Sequence, residues 1–173
     1  MGEWEQFHRF TDSPIRVFKS MLEDTIQIML MQETDLDAVA AIEEESFADP
    51  WKRTMFATEL KEQGFSSPLI VKDGETVIGY AIFWQVLDEA HLGNFAIKQE
   101  YRRKHIGSLL LQHIIDLAQK RKITKITLEV RASNTPAIEL YHRFGFREIA
   151  IRRNFYIKPV EDALVMLKND FKS

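Results

Sequence analysis

No cysteine occurs in this sequence, which excludes disulfides, thiolate metal sites and a covalent cysteine intermediate. There is no excess of positive charge either: 23 lysines and arginines stand against 26 acidic residues, giving a formal net charge of -3 and a pI near 6.0. Sequence-independent nucleic-acid binding needs a broad basic face to neutralise phosphates, so that class falls away. No apolar run approaches the roughly 18 residues that span a bilayer. The start MGEWEQFHRF lacks the charged-then-apolar layout of a secretion signal, and Gln6 stands where a myristoylation pattern requires Ser or Thr. Repeats and low-complexity tracts are also missing. The expectation is a cytoplasmic protein with no nucleic-acid or membrane partner, its oligomeric state left open.

What is present suffices for one globular domain with a sizeable core: 173 residues, 45% hydrophobic and 28% charged. Residues 1–25 read as an N-terminal extension, with Ser13 and Pro14 placed to open a short helix carrying Ile15, Phe18 and Leu22 on one face. Residues 26–171 read as the domain. It begins with a strand, IQIMLM, and a helix from about Asp35 to Glu45 with Leu36, Val39, Ala40 and Ile42 at core spacing. Asp49, Pro50 and Trp51 break the pattern before a second helix, roughly Thr54 to Gln63. Strands near 68–73 and 76–87 join at Asp73-Gly74, a hairpin signal. In the next strand, about 90–98, Gly93 is expected to mark a bulge where the ladder opens.

Residues 107–121 form the clearest helix. The strand ITKITLEV then points Ile126, Leu128 and Val130 one way and Thr127 and Glu129 the other. Asn134, Thr135 and Pro136 start a further helix that stops at Gly145, and strands near 146–152 and 161–168 follow. This order implies a mixed α/β sheet.

The loop YRRKHIG lies after a strand and before the long helix. The first amides of a helix have no internal partners and the helix dipole adds positive potential, so the position suits a phosphate. Arg102, Arg103 and Lys104 add charge there, and Gly107 lets the backbone approach a pyrophosphate. A solvated basic turn capped by glycine is an equal reading of the loop alone.

Further along, LEVRASN, AIELYHRFGF, IRRNFY and EDALVM follow in order. With the loop, these blocks make the chain from about Ile26 to Lys168 resemble the GNAT superfamily of acetyl-CoA-dependent N-acetyltransferases, whose loop reads Arg/Gln-x-x-Gly-x-Gly/Ala. Here His105 replaces the first glycine, and histidine tolerates left-handed backbone angles better than most residues. The four blocks are most similar to the branch that acetylates protein N-termini. The resemblance implies an α/β GNAT fold: a mixed, mostly antiparallel sheet of about seven strands, splayed at the cofactor site and flanked by about four helices. It implies acetyl-CoA as co-substrate, no metal, and as acceptor the N-terminal alanine of a small-subunit ribosomal protein. By the same resemblance Glu129 is the general base and Tyr141 the general acid. Asn134 and the backbone of Phe95, Ala96 and Ile97 would hold acetyl-CoA together with Arg103, Lys104, His105, Ile106, Gly107 and Ser108. The short connection from Tyr156 to Glu161 departs from the family and bears on the shape of the peptide groove.

The chemistry has its own logic. An amine attacks a thioester only when neutral; an α-amino group with pKa near 8 is neutral about a tenth of the time at pH 7, a lysine near 10.4 less than a thousandth. That difference of roughly 2.5 units is about 3.4 kcal/mol, so an N-terminal acceptor needs only a modest base. A strand glutamate can accept the proton, a tyrosine can protonate the departing thiolate, and backbone N–H groups where strands part can stabilise the oxyanion.

Each of these residues has a structural alternative. Glu129 could pair with Arg131 or Lys125, Tyr141 could be a core residue beside Ala137 and Phe144, Asn134 an N-cap, His105 a surface side chain, and Trp51 a buried anchor or part of the groove. Two other functions keep the cofactor: acetylation of lysine or a small amine, and a non-catalytic acyl-CoA-binding module. Hydrolase elbows, zinc-protease pairs and Walker-type phosphate loops are missing, and the 5 histidines show no metal-ligand spacing.

Overall fold

The computed structural model describes residues 25–62 and 64–171; the N-terminal extension, with the short helix expected from Ser13, lies outside them. The described chain runs β1 (Ile26–Leu30), α1 (Leu36–Ser46), α2 (Arg53–Glu59), β2 (Ser66–Asp73), β3 (Thr76–Val86) and β4 (Glu89–Ile97). It continues through α3 (Ile106–Lys120), β5 (Lys125–Arg131), α4 (Thr135–Arg143), β6 (Arg147–Ile157) and β7 (Val160–Lys168). The strands make one seven-stranded sheet in the order β1-β2-β3-β4-β5-β7-β6. Every neighbouring pair is antiparallel except β4 and β5. This is the mixed, mostly antiparallel GNAT-type sheet with four flanking helices that the resemblance implied. Among the described residues no helix is long and apolar enough to cross a membrane.

The apolar periodicities bury a core on each face. Leu36, Val39 and Ile42 of α1 and Phe56 of α2 pack with Ile70, Tyr80 and Ile82 on one side of the sheet. On the other, Leu110, Leu111, Ile114, Ile115 and Ala118 of α3 pack with Ala81, Phe83, Ile126, Leu128 and Val130.

Gly93 does create a bulge. Phe83 pairs with Leu92 and Ile82 with Asn94, so Gly93 is the extra residue of β4. One inserted residue reverses the alternation of a strand. Before it, Ala90 and Leu92 face the α3 core; after it, Phe95 and Ile97 do. The parallel pairing of β4 with β5 also stops there, at Leu92 and Leu128. From that point the strands part and the sheet is open in its middle.

Two boundaries differ from expectation. Helix α2 ends at Glu59 rather than near residue 63, where Lys61 N–H closes on Thr58 O, Ser66 N–H closes on Glu62 O, and Gly64 takes φ +88°. Strand β6 runs well beyond residue 152, because a register shift between Arg152 and Tyr156, with Asn154 at φ +51° and its N–H on Asp162 Oδ1, lets pairing resume. It turns into β7 across Lys158 and Pro159, whose connecting peptide bond is cis.

Candidate active site

Three segments meet at the parting of the sheet. Lys98 N–H donates to Ile78 O, and by the alternation of an antiparallel ladder the main-chain groups of Ala96 also face β3 while those of Phe95 and Ile97 face the gap. The main chain of Ala96 is thus engaged with β3. Phe95 N–H is held at 2.9 Å by Asn94 Oδ1, and Ile97 O accepts from Arg102 Nε at 2.8 Å. The first turn of α3 borders the same gap: a Cβ on Gly107 would lie 3.5 Å from Leu140 Cδ2 and 3.7 Å from Phe95 Cε1. That spacing is ordinary contact, so the Gly107 α-carbon sits against the side chains of β4 and α4 that border the gap.

The loop has the backbone its glycine pattern requires. Arg103 and His105 sit at φ +60° and +63°, so His105 occupies the left-handed position of the missing glycine. No side chain caps α3, and its first backbone bond runs from Leu109 N–H to His105 O. The amides of Ile106, Gly107 and Ser108 therefore lack helical partners, and exposed Arg103, Lys104 and His105 stand beside them. Arg102 is used differently: its guanidinium ties Ile97 O to Ser46 Oγ. Asn134 Oδ1 accepts from Ala137 N–H, so Asn134 is the N-cap of α4, and it is exposed at that helix end.

Glu129 lies on β5 just past the last pair with β4, on the face of Thr127, opposite the buried Leu128 and Val130. Its partners are neither Lys125 nor Arg131. His91 Nε2 is 3.0 Å from Oε2 and Arg152 Nη1 is 2.8 Å from Oε1. The histidine contact holds the carboxyl below its ordinary range; burial opposes this, and Arg152 adds to the lowering. Tyr141 is on the other face, buried between Phe95 and Phe146 at ring distances of 6.5 and 5.7 Å. Burial, then the neighbouring Tyr156, push its phenol well above the usual range. Tyr156 stands against the Arg131 guanidinium. Its own phenol is pushed up to about 12, by burial first and against the pull of Arg131. The Arg131 guanidinium lies 4.1 Å from the Tyr156 ring centroid and also binds Lys158 O, Pro159 O and Glu161, fixing the β6–β7 turn beside the site.

The sequence reading missed two residues. Buried Glu43 accepts hydrogen bonds from the Tyr80 hydroxyl, from Trp51 N–H at 2.8 Å and from Asn94 Nδ2 at 3.2 Å. It so connects α1, the chain before α2 and the bulged segment that holds Phe95 N–H. Trp51 is packed here, stacked on Trp84 at 6.2 Å and tilted against Phe56 at 5.4 Å. The signal was available: Glu43 stands four positions after Val39 on an apolar stripe. His91 is the other, and nothing local marks it. A separate surface concavity of about 550 Å³, between α1 and the β2–β3 turn, is lined by Asp35, Ile42, Glu45, Lys72 and Lys98 and includes none of these site residues.

An open sheet, an uncapped helix end beside basic side chains, and a carboxylate at the parting of the strands are the features of a site that could accept a phosphorylated acyl carrier. The chain belongs to the acetyltransferase (GNAT) family, which matches residues 36–146. The ribosomal protein bS18-alanine N-acetyltransferase of Escherichia coli (strain K12) is 41% identical over 141 residues, 80% of this chain and 94% of that protein. Its counterpart in Haemophilus influenzae is 34% identical over 142 residues, 80% of this chain and 95% of that one. The crystal structure of the ribosomal-protein-S18-alanine N-acetyltransferase from Escherichia coli superposes with a TM-score of 0.78 at 36% identity, covering 86% of this chain and 96% of that one. Ard1 from Thermoplasma volcanium, at 22% identity and a TM-score of 0.79 over 86% of this chain and 99% of that one, shares the fold. The protein is an acetyl-CoA-dependent N-acetyltransferase.

Proposed function

We propose that the protein moves acetyl from acetyl-CoA directly to the α-amine of an N-terminal alanine, the acceptor being a small-subunit ribosomal protein in the cytoplasm, and that residues 26–171 carry the activity. The acceptor reading rests on relatives named for bS18-alanine acetylation that match about four-fifths of the chain. The observation that carries the mechanism is the end of β4–β5 pairing at Leu92 and Leu128, one residue before Glu129.

The unpartnered amides at Ile106, Gly107 and Ser108, with Arg103, Lys104 and His105, would hold the diphosphate of acetyl-CoA. Asn134 and the gap-facing groups of Phe95 and Ile97 would border its acyl arm. The carboxyl of Glu129 lies below its ordinary range, so it is ionised at neutral pH and ready to accept a proton. So weak a base suffices because an α-amine is already neutral about a tenth of the time. The amine lone pair attacks the thioester carbon, the oxyanion collapses, and the C–S bond breaks. Glu129 takes the proton that the nitrogen sheds as the amide forms, and Tyr141, held protonated by burial, gives its own to the thiolate; release of the first proton to solvent and return of one to the phenol restore both groups.

Mass spectrometry of N-terminal acetylation in cells with and without the protein tests the acceptor. One ribosomal protein beginning with alanine should lose its acetyl group in the deletion strain. Purified enzyme that acetylates internal-lysine peptides and leaves N-terminal alanine peptides untouched would refute the proposal.

A further inference from the structure

We propose that His91 is a positioning residue for this reaction, fixing the Glu129 carboxylate in the orientation in which it meets the acceptor amine; the inference rests on the reading of Glu129 as the base. His91 faces Thr127 across the last-but-one pair before β4 and β5 part. Its ring is clamped on its face and at both nitrogens. The face lies on Trp84, with centroids 5.7 Å apart and planes 9° from parallel. Nδ1 is 2.9 Å from Thr127 Oγ1, and Nε2 is 3.0 Å from Glu129 Oε2. Trp84 is itself held, since its Nε1–H donates to Glu59 Oε2 at 2.7 Å. Gly93 lies flat beneath it, where an added Cβ would come within 2.5 Å of the indole.

A ring clamped in this way presents Nε2 in one direction only. Thr127 Oγ1 can donate to Nδ1, which leaves Nε2–H to donate to the carboxylate without requiring a charged ring. One carboxylate oxygen is thereby fixed, and the other, Oε1, faces Arg152. The charged or titratable groups facing this carboxylate are His91 from β4 and Arg152 and Tyr156 from β6. Loss of the histidine donor removes the contact that most favours the ionised carboxylate, so the carboxyl pKa should rise.

The test is steady-state kinetics of the full chain with acetyl-CoA and an alanine-initiated peptide, across pH, with thermal melts of each variant. His91→Phe keeps an aromatic face for Trp84 and has no N–H. It should lower kcat roughly tenfold or more, leave KM for acetyl-CoA unchanged, and move the lower acid limb of kcat/KM, beneath the one set by the amine, to higher pH. His91→Gln, which carries an amide donor, should recover part of the rate; if His91→Phe fails to fold, comparing His91→Gln with His91→Leu reads the same effect. Glu129→Gln alone should be about 100-fold slower or more, with acetyl-CoA binding intact. Adding His91→Phe to it should cost little further, because the histidine acts through that carboxylate. A wild-type rate and pH profile for His91→Phe, or losses that multiply in the double variant, would overturn the role of His91 alone. Near-normal turnover of Glu129→Gln would overturn the base reading and this inference with it.

Discussion

Arg152 Nη1 stands 2.8 Å from Glu129 Oε1, so the carboxylate is met by a cation on the very side left open by His91. The arginine is half exposed and lies 4.3 Å from the Phe155 ring centroid. Its charge favours the ionised carboxylate. In Arg152→Gln the carboxyl pKa rises, and the lower acid limb of kcat/KM, beneath the one set by the amine, should move to higher pH. The shift should be small, because solvent and salt screen an exposed guanidinium. A pH–rate series at two salt concentrations measures this. A limb that stays in place would mean that Arg152 and Glu129 part before the amine is deprotonated.

Tyr141→Phe separates the phenol's chemistry from its packing. The ring is buried against Phe95 and Phe146, and the substitution keeps those contacts, so stability should change by less than about 1 kcal/mol. Turnover should fall by about tenfold or more, if thiolate release takes its proton here. Because burial lifts the phenol far above neutrality, no basic limb from its titration should appear below pH 10 in the wild type. Thermal melts beside kcat at pH 7 to 10 decide the matter; unchanged kcat would remove Tyr141 from the acid role.

Most of the framework was legible from periodicity. The alternation of Ile126, Leu128 and Val130 against Thr127 and Glu129 placed the carboxylate on the correct face, and Gly93 was readable as a bulge because a strand interior gains nothing else from glycine. Helix α2 was overextended because its apolar spacing continues past the point where turns closed on Thr58 O and Glu62 O end it. The partners of Glu129 were not legible. Lys125 and Arg131 are near it in sequence, whereas His91 and Arg152 come from β4 and β6, and only the strand order brings them together. That Gly107 sits against Leu140 was not legible for a similar reason: a local pattern does not say which side of a helix start faces another helix.

Glu43 should be the costliest single carboxylate to truncate. It is buried and serves the Tyr80 hydroxyl, Trp51 N–H and the Asn94 amide. Glu43→Ala leaves these donors without a partner and opens a cavity, for a loss of about 3–5 kcal/mol. For a domain of this size Tm should drop by about 10 °C or more. Glu43→Gln keeps the volume and one acceptor, so its loss should be under about half as large. Because Asn94 also holds Phe95 N–H, Glu43→Gln should lower kcat as well. A melt of Glu43→Ala within about 2 °C of wild type would show that the network contributes little.

His105 offers a test of backbone against side chain in cofactor binding. Its φ of +63° is a conformation that glycine adopts freely, histidine with modest strain, and a β-branched residue with difficulty. If the loop binds acetyl-CoA through the amides that follow, His105→Gly should keep affinity within a few-fold, because glycine takes the same left-handed backbone and leaves those amides in place. His105→Val must either hold a strained angle, costing about 1–3 kcal/mol, or shift the loop and misalign the amides of Ile106, Gly107 and Ser108. Its affinity for acetyl-CoA should therefore fall well below that of His105→Gly, although both lack the imidazole. Calorimetric titration of the two variants separates the causes: equal losses in both would assign the binding to the histidine ring, and a loss confined to valine assigns it to the left-handed turn.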